Sequence, residues 1–414
     1  MVPGTFRSLT LVRICFFCFT IAQIISIFGD RLHQFAVVGM IGRVAPGSSV
    51  ELLTFVAFTH LPVLLLAPIF GSLIDRWNRV TVLVLVDILR GGIVLLVPTI
   101  YYFMGNLYAF YVPVLFLSLA NMLFSPAKSA AIPEYFHGLR LLNINAILWG
   151  LGVVGTLGGF LLGGWLFDYR EWAWGFYVDG ISYLVSAVFI LPLFLLRPRR
   201  TDPDLEAASP KAPVFRSLFR SIREGLAVVR GDRRIASCLT TQAVLFAALG
   251  VLYAVGIARI QTVFPSEKTM YLSGVATAGT IGLLVGAGLT SLLRPRFEPA
   301  RMIAASTTIF GMSWIGVGLT QQLIPMMLWT LAMGFSISPV FVLTETLLQS
   351  NIPIEFRGRV FSTREVVTKI AFLTATAVAT VATGFLPKAT ILIAVGVLLA
   401  VLGLVLNSKK VLTV

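Results

Sequence analysis

Gly71-Ser72-Leu73-Ile74-Asp75-Arg76-Trp77-Asn78-Arg79 is a short charged loop between two long apolar runs. Apolar residues fill most of 51–70 before it and 80–104 after it. Each run is long enough to cross a bilayer as a helix, which needs about 20 residues. Gly71 lets backbones approach closely, Asp75 supplies one negative charge, and Arg76 and Arg79 hold the loop on the positive, inner side of a membrane. The stretch predicts a hairpin of two membrane-spanning helices.

The rest of the chain repeats that pattern. Of its 414 residues, 57% are hydrophobic and only 12% charged, with a mean hydropathy of +0.91. A soluble domain carries about twice that charged share. The apolar runs predict six spans at 12–41, 51–72, 79–104, 107–128, 140–166 and 172–196. Six more follow at 233–261, 269–293, 299–320, 324–348, 360–386 and 389–408. The runs do not alternate apolar and polar residues, which argues against barrel strands. The first run is long and lacks a small-residue cleavage site, so it reads as a retained span.

The net charge of +14 raises the question of nucleic acid, and its placement answers it. With both termini inside, roughly 24 Lys and Arg fall in inside segments and about five outside. This is the positive-inside bias plus attraction to anionic lipids, with no nucleic-acid partner implied. The inner loop at 197–232 begins Arg-Pro-Arg-Arg and holds Pro203, Pro210 and Pro213, as a linker does. In it Phe215, Leu218, Phe219 and Ile222 recur at helical spacing opposite Arg216, Arg220 and Arg223. That predicts an amphipathic helix on the inner membrane surface. The organisation is therefore a six-helix half over 1–196, a cytoplasmic linker over 197–232 and a second half over 233–414. Cys15, Cys18 and Cys238 suggest neither a disulfide framework nor a metal cluster, and no cofactor is implied.

The halves repeat. Ile132-Pro133-x-x-Phe136-x-Gly138 after span 4 returns 220 positions later as Ile352-Pro353-x-x-Phe356-x-Gly358 after span 10. At the same spacing Leu73 and Arg76 meet Leu293 and Arg296, while Pro295 stands where Asp75 would be. A parallel 6+6 repeat places a substrate path between the halves.

Ionisable residues inside spans are expensive and face a cavity or a partner. Asp30, Arg31 and His33, with Gln34 beside them, lie inside span 1. Asp30 is a candidate to carry a coupling proton or grip a cationic substrate; a structural ion pair or an interfacial position with Arg31 snorkelling is the alternative. Asp87 and Arg90, three apart on span 3, suit an intrahelical ion pair and are also substrate-site candidates. Lys369 lies about 15 Å into span 11; it is a cavity cation or a partner of Glu345 or Glu365. Span 5 carries Gly150, Gly152, Gly155, Gly158, Gly159, Gly163 and Gly164, which favour close helix packing.

The opening stretch resembles the helix 2–3 signature of the major facilitator superfamily, G-x-L-x-D-R-x-x-R. The resemblance implies an all-α membrane protein with 12 transmembrane helices in two six-helix pseudo-symmetric halves. It also implies that Gly71, Asp75, Arg76 and Arg79 act as a conformational latch, Asp75 facing a helix end of the other half. Phe124-Ser125-Pro126-Ala127-Lys128 through Pro133-Glu134, with Asn145, is similar to the span 4–5 segment of the macrolide-efflux and enterobactin-exporter branch. Gln349-Ser350-Asn351-Ile352-Pro353 followed by Arg357-Gly358-Arg359 is similar to its span 10–11 segment. Ser125-Pro126-Ala127-Lys128 and Phe28-Gly29-Asp30 also resemble bacterial lysophospholipid transporters. Gly29-Asp30-Arg31 with Phe35-Ala36-Val37 resembles span 1 of ferroportins, although Gln34 stands where those place a histidine. Span 5 departs from the antiporter pattern G-x-x-x-G-P-x-x-G-G in having no proline.

Together these readings predict a monomeric carrier of the cell inner (cytoplasmic) membrane. It would export an amphipathic small molecule in exchange for protons by alternating access. A lysophospholipid flippase with a lipid-like substrate is the alternative, and a divalent metal exporter a more distant one. No HExxH, GxSxG or paired Cys-x-x-Cys occurs, and His33, His60 and His137 are scattered, so an enzyme is not expected.

Overall fold

Helix starts follow local chemistry. The Asn78 side chain accepts hydrogen bonds from the backbone N–H of Val80 at 2.9 Å and Thr81 at 3.1 Å, capping the helix that begins at Arg79. Asp232 caps the helix after the linker in the same way, at 2.7 Å from Arg234 N. Such caps satisfy amide protons that a first helical turn leaves free. Gly105 closes a helix in the left-handed region, φ 63°, where glycine carries no steric penalty.

The computed structural model describes residues 3–74, 77–136, 139, 141–196, 214–264, 268–293, 297–352 and 356–408. Their side chains are described except at 3–8, 67–74, 141–143, 145–146, 149, 214–222, 357–358 and 407–408. Every regular element among the described residues is helical. In chain order these are α1 (Pro3–Val44), α2 (Ser49–Ile74), α3 (Arg79–Met104), α4 (Tyr108–Tyr135), α5 (Leu141–Tyr169) and α6 (Ala173–Ile190). Then come α7 (Val214–Gly231), α8 (Arg233–Val251, continued over Ile257–Val263), α9 (Thr269–Leu293), α10 (Pro299–Leu319), α11 (Leu323–Asn351), α12 (Arg357–Ala382) and α13 (Lys388–Ser408). Twelve helices among the described residues, all but α7, are long and apolar enough to cross a membrane.

Four helices differ at their ends from the sequence expectation. Helix α1 spans 42 residues, roughly 63 Å at 1.5 Å per residue, beyond the hydrocarbon at either end. An apolar run marks where lipid can touch, and the backbone ladder continues past it. Helix α4 runs on to Tyr135 through Pro126 and Pro133, so these prolines are helical rather than in a loop. Near a membrane surface water can take the carbonyls that proline leaves free. Gln349, expected in the span 10–11 loop, sits in the last turns of α11, and Arg357, Gly358 and Arg359, expected there too, open α12.

The chain divides into two compact units. One comprises 1–40 with 58–217, the other 41–57 with 218–414. In the first, α3 and α6 cross where Gly91 meets Gly180: a Cβ built on Gly91 would stand 3.0 Å from the Gly180 carbonyl oxygen. In the second, Gly311 of α10 and Gly396 of α13 meet in the same way, a Cβ on Gly396 standing 2.7 Å from the Gly311 oxygen. The repeat seen in the sequence is thus repeated in the packing, third helix on sixth and ninth span on twelfth. Glycine permits such crossings because only the bare backbone fits.

Helix α8 contains one wide turn of i→i+5 bonding at Leu252–Gly256. Beyond it, Arg259 donates from one Nη to the carbonyls of Gly318 at 2.6 Å and Thr320 at 3.2 Å. A cation there suits the negative end of α10. Helix α7 rests on α12: Glu224 pairs with Arg359 at 2.7 Å, Gly225 lies against the Arg359 carbonyl and Thr363, and Val229 joins the apolar core. The side chains of Phe215, Leu218, Phe219 and Ile222 lie outside the described residues.

Candidate functional site

The first unit holds a cluster of ionisable side chains in its interior. Asp30 and His33 are three apart on α1, hence on one face. Asp179, Ser182, Tyr183 and Ser186 recur at helical spacing on α6. Gly29 lets the two helices approach, since a Cβ there would collide with the Asp179 and Ser182 side chains. The α3–α6 crossing brings Asp87 and Arg90 alongside, because Gly91 follows Arg90 and Gly180 follows Asp179.

His33 Nδ1 lies 2.5 Å from Asp179 Oδ2, and Ser182 Oγ donates to Asp179 Oδ1 at 3.2 Å. The Tyr183 hydroxyl donates to Asp30 Oδ1. Arg90 pairs with Asp87 at 3.3 Å, and Ser186 Oγ donates to Asp87 Oδ2 at 2.7 Å. The Arg90 guanidinium stacks 4.0 Å from the Phe124 ring centroid and 5.4 Å from that of Tyr183. Its Nε and second Nη are buried without a hydrogen-bond partner. Asp87 and Asp179 are 0% exposed and Arg90 2%, whereas Asp30 is half-buried. Arg31, the sequence neighbour of Asp30, turns instead to Gln34 Oε1 at 2.7 Å and to the Phe160 ring. So many charges out of water stabilise a fold poorly, which makes the cluster the candidate functional site.

One ligand atom each from Asp30, His33 and Asp179 lies within 4.8 Å of the others. A divalent cation could draw on these donors. Metal ligands at ~2.1 Å in tetrahedral array stand roughly 3.4 Å apart, whereas His33 and Asp179 touch at 2.5 Å. As placed, His33 and Asp179 form a hydrogen-bonded acid–base pair.

Other expected residues fall in separate places. In the second unit, Arg364 pairs with Glu345 and lies 3.9 Å from Glu365, which holds Lys369 at 3.0 Å. Lys369 is therefore partnered by Glu365. Gln349 donates to Glu345 at 3.4 Å. Arg79 stands 3.9 Å from Glu134 and donates to the Trp77 carbonyl at 2.8 Å. Asp75, Arg76 and Pro353 lie outside the described residues; of Gly71, Arg357 and Gly358 only the helical backbone is described.

Asp179, Tyr183, Ser182 and Ser186 are absent from the sequence-derived candidates. The signal was available, because Asp179 is an acid in mid-span like Asp30. The cluster also has no counterpart across the repeat. Aligned on the two glycine crossings, Asp87, Arg90 and Asp179 correspond to Thr307, Phe310 and Val395.

The sequence profile of the Major Facilitator Superfamily matches residues 14–293. The uncharacterized MFS-type transporter YfiS of Bacillus subtilis (strain 168) is 26% identical over 404 residues, covering 94% of this chain and 92% of its own. Macrolide efflux protein A of Streptococcus pyogenes is 21% identical over 360 residues, 84% of each chain. Among solved structures, the nucleoside transporter NupG superposes with a TM-score of 0.68 at 11% identity, covering 96% of this chain and 98% of its own. A bacterial homologue of the iron transporter ferroportin, inward-facing, reaches 0.69 at 16% identity over 95% and 99% of the two chains. At such identities these two show a shared fold alone.

Proposed function

Because the chain belongs to the major facilitator superfamily and is a multi-pass membrane transporter rather than an enzyme, we propose that it exports an amphipathic small molecule across the cell inner membrane in exchange for protons. Both termini face the cytoplasm in this reading, as the inward bias of Lys and Arg requires. The similarity to a macrolide efflux protein over 84% of each chain supports export. The observation that carries proton coupling is Asp30: a half-buried carboxylate in mid-span, held by Tyr183 rather than neutralised by its neighbour Arg31. The halves alternate about a midplane site, and protonation of Asp30 biases which state is populated. The 2–3 loop with Asp75, Arg76 and Arg79 acts as the latch, supported by the approach of Arg79 to Glu134.

The test is flux in proteoliposomes with an imposed proton gradient, using ethidium and a fluorescent lysophospholipid side by side. Ethidium movement that collapses with the gradient and with Asp30→Asn supports the proposal. Lipid movement indifferent to the gradient overturns it in favour of a flippase.

A further inference from the structure

Asp30 alone is the group that proton coupling first suggests, yet it does not stand alone. One α1 turn on, His33 is pressed against Asp179 at 2.5 Å, and ligand atoms of all three lie within 4.8 Å of each other. Two carboxylates and one imidazole so close in a protein interior act as one interacting set. We propose that Asp30, His33 and Asp179 form one proton-binding site spanning α1 and α6, with Tyr183 as the positioning residue that holds Asp30 in it. The inference rests on the proton-coupled reading above and assigns its proton to three residues instead of one.

The surroundings fit that assignment. From α1 the site faces Arg31, whose guanidinium is turned to Gln34 and Phe160. From α3 it faces the Asp87–Arg90 pair, with Ser186 donating to Asp87 and two Arg90 nitrogens left without a partner. From α4 Lys128 lies within electrostatic reach of Asp30, Asp87 and Arg90. From α6 the Tyr183 and Ser182 hydroxyls donate to the two acids. None of the three cationic residues hydrogen-bonds to Asp30 or Asp179 among the contacts described, whereas an imidazole does. A proton arriving from water can rest on His33 Nδ1, bridge to Asp179 Oδ2, or rest on Asp30, without any bond to carbon changing. Asp30 is the half-buried member and so the entry; Asp179 is the fully buried one.

The chain has three histidines, so imidazole 15N spectra of the full-length protein in lipid nanodiscs are readable. In His60→Gln/His137→Gln, the remaining ring is His33. Its shift against pH is expected to follow two steps rather than one, as coupled sites do. Asp30→Asn and Tyr183→Phe are each expected to displace the curve, Asp30→Asn by about one pH unit. A single step, unmoved by Asp30→Asn, overturns the shared site. The two-step curve of the unaltered cluster needs no variant inside it, so misfolding of a variant leaves the test intact. Failure of proton coupling reads differently: ethidium flux indifferent to the gradient, whatever the imidazole titration shows.

Discussion

At the residue scale the cluster is held by pairings that cannot be lost singly. Arg90 is almost fully buried on Asp87, so Arg90→Met strands a carboxylate with only Ser186 to bond it. Removing one partner of a buried pair costs about 3–5 kcal/mol, to be read from urea or thermal unfolding in detergent. Asp87→Asn/Arg90→Met is expected to recover most of that loss, because no uncompensated charge remains. A double variant as unstable as the single one would mean that Arg90 acts through its stacking on Phe124 instead. The sequence reading flagged Asp30, His33, Asp87 and Arg90 because each breaks an apolar run. It passed over Asp179, and no rule of spacing could have paired Asp30 with Tyr183 rather than with Arg31. That choice depends on how α1 and α6 approach at Gly29.

At the element scale, adjacent glycines give a controlled comparison. Gly91 lies on the Gly180 carbonyl, whereas a Cβ on Gly92 meets nothing within 4 Å. Gly91→Val is expected to destabilise by about 1–3 kcal/mol, as overpacking does. Gly92→Val should stay within about 0.5 kcal/mol; equal effects on unfolding would refute the crossing. The wide turn at Leu252–Gly256 adds one residue to a turn of α8, which rotates all that follows by roughly 100°. Deleting one residue there restores a regular helix and swings Arg259 off the Gly318 and Thr320 carbonyls. The deletion is expected to lower the melting temperature by more than Arg259→Met does. Helix positions were legible from hydropathy, since about 20 apolar residues have few other uses. Helix ends and the wide turn were not, because they depend on caps, water and packing partners.

At the scale of the whole molecule, the two units share a fold and divide the chemistry. The glycine crossings repeat, but Thr307 and Val395 stand where the first unit has Asp87 and Asp179. The Thr307 hydroxyl is satisfied within its own helix, by the Ile303 carbonyl at 2.8 Å. Thr307→Ala is therefore expected to leave the gradient dependence of ethidium flux unchanged, while Asp179→Asn abolishes it. Equal losses would place coupling in both halves. The repeat itself was legible in two loops 220 positions apart, and the one-sidedness of the buried cluster was not, because the aligning glycines meet only in three dimensions. The same one-sidedness bears on how the chain is made. A charged residue at a helix centre resists membrane insertion by about 2.5–3.5 kcal/mol, and Asp30 is separated from Tyr183 by 153 residues. At about 5–20 residues per second, α1 must wait roughly 8–30 s for the hydroxyl that meets its carboxylate. During that interval the nascent first half is the fragile part of the molecule, open to water, to lipid headgroups and to the membrane's own proteases.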